Sequence, residues 1–132
     1  MYLLDTNALI ILMYGEVADG KLSEQSLDIL RTSERLYVCA VSLWEIAIKV
    51  KIGKLAIKTR IESIEERCRE KGIEIIPLKA AHMDRQLDLP LIPDHKDPFD
   101  RIIMSTALQE ELTLISTDAR MRNPEYGVDV IW

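Results

Sequence analysis

Read from its hydrophobic positions, the chain alternates short apolar runs with longer stretches of helical period. Tyr2 to Leu4 predicts a buried strand, followed by a helix from Asn7 to Tyr14 that stops at Gly15. A loop is expected from Gly15 to Lys21, then a helix capped by Ser23 and running through Thr32. Leu36 to Ala40 is rich in the aromatic and β-branched residues that fit a pleated surface. Ser42 to Ile52 reads as a helix ending at Gly53, and Thr59 to Lys71 as another closed by Gly72. Ile73 to Ile76 predicts a strand halted by Pro77, and Lys79 to Leu87 a further helix. Asp88 to Pro98 holds three of the five prolines and no periodicity, which predicts an ordered surface loop. Phe99 to Glu111 is strongly amphipathic; Thr113 to Ser116 and Val128 to Ile131 are strand-like. Strands alternating with helices predict a three-layer α/β/α sandwich around a parallel sheet, because both faces of such a sheet must be covered.

Composition narrows this picture. With 132 residues, 48% hydrophobic and 30% charged, the sequence fits one globular domain spanning residues 1–132. Its net charge of -5 excludes nucleic-acid binding through bulk charge, so any such function must rest on a local basic strip or on metal ions. The two cysteines, Cys39 and Cys68, have no ligand spacing and read as buried thiols in a reducing compartment. The apolar run Ala8 to Tyr14 is far short of the ~20 residues of a membrane span, and Asp5 stands where a signal peptide would carry positive charge. A cytoplasmic protein with no membrane partner is expected.

The acids carry the candidate chemistry, and each has a plain structural alternative. Asp5 follows the first strand, at the edge where open parallel sheets bind ligands, yet Asp5 or Asn7 would also cap the next helix. Ser42-Leu43-Trp44-Glu45 has the form of a capping box. In Asp97-Pro98-Phe99-Asp100, Asp97 suits the N-cap, Pro98 the first helical position, and Asp100 the first turn. Asp118, just past the fourth strand, suits the cap of a short turn. Taken together, Asp5, Glu45, Asp100 and Asp118 all fall just beyond a strand or in the first turn of a helix at the same sheet edge. Four carboxylates in one cleft repel unless a hard cation joins them, and Mg²⁺ or Mn²⁺ prefers such oxygen ligands. That chemistry suits phosphate esters, since a bound divalent ion activates water and offsets charge on the scissile phosphate.

These residues resemble a known family. Leu3-Leu4-Asp5-Thr6-Asn7, Ser42-Leu43-Trp44-Glu45-Ile46-Ala47, Lys51-Ile52-Gly53-Lys54-Leu55, His95-Lys96-Asp97-Pro98-Phe99-Asp100-Arg101 and Ser116-Thr117-Asp118 together look like a PIN domain. More narrowly, they resemble a VapC-type toxin of a prokaryotic toxin–antitoxin pair. The resemblance implies a five-stranded parallel sheet with the first strand central. It also implies a Mg²⁺-dependent endoribonuclease, a cognate antitoxin whose helix lies in a groove, and a homodimer. Position by position, Asp5, Glu45 and Asp100 match the three main acids and Asp118 the more variable fourth. Thr6, Ser42 and Thr117 would orient carboxylates or water, with backbone capping as their alternative role.

Other features bear on the substrate. Lys49, Lys51, Lys54, Lys58 and Arg60 form a basic run without an acid, which would grip RNA phosphates or serve as a solvated face. Arg101 would steady a carboxylate or a phosphate through its planar fork. His82 and His95 offer a metal-free acid–base pair, although they fall in different elements. Aromatics are only 5% of the chain, which limits base stacking, and Trp44 reads as core or interface. The nearly continuous run Ile10 to Tyr14 and the Ser42 to Ile52 helix offer apolar surface for a partner or for the chain's own core. Two competing functions remain. One is a non-catalytic PIN-like domain that binds RNA or protein, with the acids as caps. The other is a phosphoaspartate enzyme using Asp5, weakened because no second Asp stands two residues on.

Overall fold

The computed structural model describes residues 1–15 and 20–132; residues 16–19, inside the loop expected from Gly15 to Lys21, lie outside the described residues. Five strands form one sheet: β1 (Tyr2–Leu4), β2 (Leu36–Cys39), β3 (Ile73–Ile76), β4 (Thr113–Ile115) and β5 (Val130–Ile131). All pair in parallel in the order β3-β2-β1-β4-β5, so β1 is central. Among the described residues six α-helices connect them: α1 (Thr6–Tyr14), α2 (Glu24–Thr32), α3 (Ala40–Lys51), α4 (Ile61–Glu70), α5 (Ala80–Leu87) and α6 (Pro98–Gln109). The expected α/β/α arrangement is therefore the one observed. No helix among the described residues is long and apolar enough to cross a membrane.

The alternation of side chains along each strand divides the core in two. Leu4, Val38 and Ile115, in register across β1, β2 and β4, point into a cluster with α1, α3 and α4. Leu3 and Leu114 point the other way, against Ile103, Met104 and Ala107 of α6 and against Met121 and Tyr126. α1 is apolar all round, with Leu9 and Ile10 fully buried while Ile11, Leu12 and Tyr14 are only half-covered.

Several boundaries differ from the sequence pattern, and one difference matters. α3 starts at Ala40 with Cys39 at its N-cap, so Ser42 lies inside the first turn and the Ser42–Glu45 capping box does not form. α4 starts at Ile61 rather than Thr59, with Arg60 at the N-cap. After β4 come two short 3-10 turns, Ala119–Arg122 and Pro124–Tyr126, that are too short to carry a hydrophobic period. Their caps are legible residue types: Asp118 accepts from the Arg120 amide and Asn123 from the Glu125 amide.

Candidate active site

The direction of the strand order reverses between β1 and β4, and in an open parallel sheet the crevice at that point is the usual ligand site. Asp5 leaves β1 there, and Ser116-Thr117-Asp118 leave β4 beside it. The N-termini of α3 and α6 reach the same edge and supply Glu45 and Asp100. All four expected acids, Asp5, Glu45, Asp100 and Asp118, line one polar cleft of about 210 Å³ with Thr6, Asn7, Lys49, Asp97 and Arg120.

Asp5 is buried and serves two purposes. As N-cap of α1, its Oδ1 accepts from the Ala8 amide at 2.7 Å, while Oδ2 accepts from the Ser116 hydroxyl. Burial pushes its carboxyl up to about 7, against the lowering effect of those two hydrogen bonds; the charges of Asp100 and Glu45 add to the rise. Ser116 also accepts from the Asp118 amide at 3.0 Å, tying the ends of β1 and β4 together. Leu4 pairs with Ile115, so Asp5 and Ser116 are the next residues in register.

Glu45 lies within 2.6 Å of Thr6 Oγ1 and 2.8 Å of Lys49 Nζ. Thr6 Oγ1 is also 3.0 Å from Ser42 Oγ. A carboxylate can only accept, so Thr6 donates to Glu45 and Ser42 donates to Thr6. The two hydroxyls thus form a chain onto Glu45 instead of capping a backbone. Burial depresses the Lys49 ammonium, but its hydrogen bond to Glu45 and the surrounding acids hold it above its ordinary value.

Asp100 Oδ2 is 2.9 Å from Nε2 of the buried His95, whose Nδ1 is 2.9 Å from the Tyr126 hydroxyl. With Asp100 ionised, the His95 proton sits on Nε2, and in the neutral ring Nδ1 accepts from Tyr126. Burial raises the Asp100 carboxyl to about 6; His95 opposes the rise, and Asp97 and Asp118 reinforce it. Asp118 differs. Burial pushes its carboxyl up, but hydrogen bonds from the Arg120 guanidinium and amide more than offset this and leave it below the usual range. Arg120 Nε and a terminal nitrogen lie 3.1 and 2.8 Å from the two Asp118 oxygens.

The donor set suits a hard divalent cation. The cleft offers the four expected carboxylates from four elements, with Asp97 a fifth on its lining, and Asp5 and Asp100 are pushed toward neutrality by burial and by the neighbouring acids, a strain that a cation relieves. Donor atoms of His95, Asp100 and Asp118 all fall within 4.8 Å of one another.

Not every expected residue reaches the cleft. Arg101 is buried, and its guanidinium donates to Gln86 Oε1 and to the carbonyls of Gln86, Leu89 and Pro90. It ties the 88–98 loop to α5, and that full set of acceptors turns it away from carboxylates and phosphates alike. His82 is likewise separate, accepting from the Lys79 amide and lying 2.7 Å from Glu110, so it forms no pair with His95. Lys51, the last residue of α3, and Lys54, Lys58 and Arg60 beyond it are exposed. Thr117 is half-buried against Gly20, which has φ 87°; a Cβ on Gly20 would meet the Thr117 Cβ at 2.7 Å. Trp44, one residue from Glu45, is 64% exposed and so belongs to no core. Cys39 and Cys68 are buried free thiols. Sequence reasoning missed Ser116 and Arg120 and undervalued His95. The register of β1 against β4 points to the first, whereas nothing in the sequence ties Arg120 to Asp118 beyond its place two residues on.

The fold has solved counterparts. FitAcB from Neisseria gonorrhoeae matches with a TM-score of 0.67 at 19% identity, covering 100% of this chain and 97% of that one. VapBC2 from Rickettsia felis, bound to a DNA fragment from its promoter, matches at 0.66 and 20% identity, covering 98% and 96%. A toxin–antitoxin complex from Klebsiella pneumoniae matches at 0.62 and 21% identity, covering 100% and 97%. Among curated proteins, none matches the chain. The family profile described as the PIN domain matches residues 2–125, nearly the whole sequence. With that match and a five-stranded parallel sheet carrying four acids at its crevice, the chain belongs to the PIN domain family.

Proposed function

We propose that this protein is a Mg²⁺-dependent endoribonuclease and the toxin of a toxin–antitoxin pair. The observation that carries the reading is the convergence of Asp5, Glu45, Asp100 and Asp118 in one small polar cleft. Membership of a family whose members are generally nucleases supports hydrolysis, and the toxin–antitoxin complexes of the same fold support an antitoxin partner. Asp5, Glu45, Asp100 and Asp118 would hold the ion, with Mn²⁺ able to substitute. A divalent ion held there would supply Lewis-acid chemistry, lowering the pKa of water and offsetting phosphate charge.

The chain's own residues prepare the site. Thr6 and Ser42 fix Glu45, Ser116 fixes Asp5, and the Tyr126–His95 pair fixes Asp100, so the carboxylates are oriented before any ligand arrives. Lys49 and Arg120 put positive charge at the rim of an acidic cleft, where an RNA phosphate must approach. Thr117, beside Asp118, completes the set of hydroxyl residues proposed around the acids. The exposed run Lys51, Lys54, Lys58 and Arg60 extends the positive surface from Lys49 and is proposed to guide the strand. The half-covered residues of α1 and the exposed Trp44 and Ile52 of the α3 region are proposed surfaces for the antitoxin and a second copy of the chain.

Purified protein incubated with single-stranded RNA and Mg²⁺ should yield fragments with 5′-phosphate and 3′-hydroxyl ends, because water rather than the ribose attacks. EDTA should abolish cleavage. A 2′,3′-cyclic phosphate product would overturn the reading. Glu45 and Asp118 already have internal cations in Lys49 and Arg120, and this favours the second reading, a non-catalytic RNA- or protein-binding domain. Absence of cleavage with both Mg²⁺ and Mn²⁺ would select it.

A further inference from the structure

A second cleft, of about 540 Å³, adjoins the acidic one and shares Arg120 with it. Its volume falls in the roughly 300–1,000 Å³ of clefts that hold small ligands. One wall is the 88–98 loop, contributing Ile92, Asp94 and His95; the other is the pair of 3-10 turns, contributing Arg120, Arg122, Asn123 and Pro124. We propose that this cleft binds the RNA nucleotide next to the scissile phosphate, with Arg122 as the phosphate-binding residue; the assignment rests on the nuclease reading above.

Three observations carry it. First, the Arg122 guanidinium stacks on the Trp132 ring at 3.7 Å, and no group among the described residues accepts a hydrogen bond from it. Its Nε is buried without a partner, although a buried donor is ordinarily paired. A planar guanidinium held by stacking is pre-organised for a phosphate, which takes two of its N–H groups at once. Second, the wall is built to hold its shape. The Ile92 carbonyl accepts from the His95 amide, and Arg120 donates to the Asp94 carbonyl across the gap between loop and turn. Third, the lining is mixed as a nucleotide requires. Arg122 lines it with one exposed aspartate, Arg120 being already paired with Asp118, while Asn123 uses only its Oδ1 on Glu125 and leaves its amide N–H₂ free to donate, and Ile92 and Pro124 offer apolar surface to a base or ribose.

Affinity for a single-stranded oligoribonucleotide, measured by fluorescence anisotropy in EDTA over a salt series, tests the assignment. Arg122→Gln should weaken binding by about tenfold and reduce the salt slope by about one, while Mg²⁺ affinity by calorimetry stays unchanged. Asp94→Asn removes an exposed negative charge from the same wall and should tighten binding, which keeps the proposal open to failure even if Arg122→Gln does not fold. Unchanged affinity and slope in folded variants, no detectable binding by the unsubstituted protein, or equal competition by inorganic phosphate would overturn it. If the two variants shift affinity in opposite directions but the protein cleaves no RNA, the cleft stands and the nuclease reading falls. If cleavage proceeds and neither variant alters Kd or KM, the reverse holds.

Discussion

Asp97 and Asp100 stand three residues apart at the start of α6 and hold different positions. Asp97 is exposed, and its Oδ1 accepts from the Phe99 and Asp100 amides at 2.8 and 3.0 Å. Asp100 turns into the cleft onto His95, in surroundings that disfavour its charge. Asp97→Ala should therefore cost about 1 kcal/mol, as other lost N-caps do, and keep most activity. Asp100→Asn should keep the melting temperature or raise it, and lower cleavage on the order of a hundredfold. Melting curves and cleavage rates decide; an inactive Asp97→Ala beside an active Asp100→Asn would reverse the assignment. At this scale the acids were legible in the sequence, but their roles were not. Asp5 caps α1 and also lines the cleft, so its capping role does not keep it out of the site. Glu45 looked like half of a capping box because Ser42 precedes it by three, whereas the helix begins two residues before Ser42. Arg101 looked like a phosphate ligand and instead holds a loop, because its acceptors are carbonyls that no sequence pattern displays.

Elements with a strong hydrophobic period were legible throughout, and so were the strands bounded by glycine or proline. The period says nothing about where an end falls, which is why α3 and α4 start away from their expected caps, and it cannot register turns of three or four residues. The basic segment that follows α3 shows the same limit for function. Lys49 and Lys51 lie in the last turn of α3, where positive charge also complements the helix dipole. Only Lys49 meets the cleft, through Glu45. Lys51 and Lys54 are exposed and bear no ion pair among the described residues, so their charge is available to a phosphate backbone. The Lys51→Gln, Lys54→Gln double variant should lower the slope of log affinity against log salt by about one to two, with little change in melting temperature. An unchanged slope returns the run to a solvated helix end.

The strand order belongs to the whole molecule, and it makes the cleft: with β1 central and the order reversing beside it, buried carboxyls from distant parts of the sequence meet at one edge. Periodicity along the chain predicts strands but not their neighbours, so the meeting of Asp5 with Ser116, 111 residues away, was not legible in it. This gathering has a thermodynamic signature. In the metal-free protein Asp5 titrates at about 7 and Asp100 at about 6, against 3.8 for a free aspartate. Below 3.8 both folded and unfolded chains hold these protons, and neither group affects stability. Between there and about 7 the unfolded chain releases them first, so stability falls as pH rises and levels off once the folded carboxyls ionise. Asp118, held below the usual range, acts oppositely, but its loss occurs only as pH falls through its lower folded value, outside this window. In EDTA, denaturant unfolding should show the protein a few kcal/mol less stable at about pH 7.5 than at about pH 4.5 from these two groups. Asp5→Asn should flatten the decline. Saturating Mg²⁺ should reverse its direction, because a cation binds the ionised carboxylates and only in the folded chain. A decline that persists unchanged in both Asp5→Asn and saturating Mg²⁺ would mean that its source lies outside the acidic cleft.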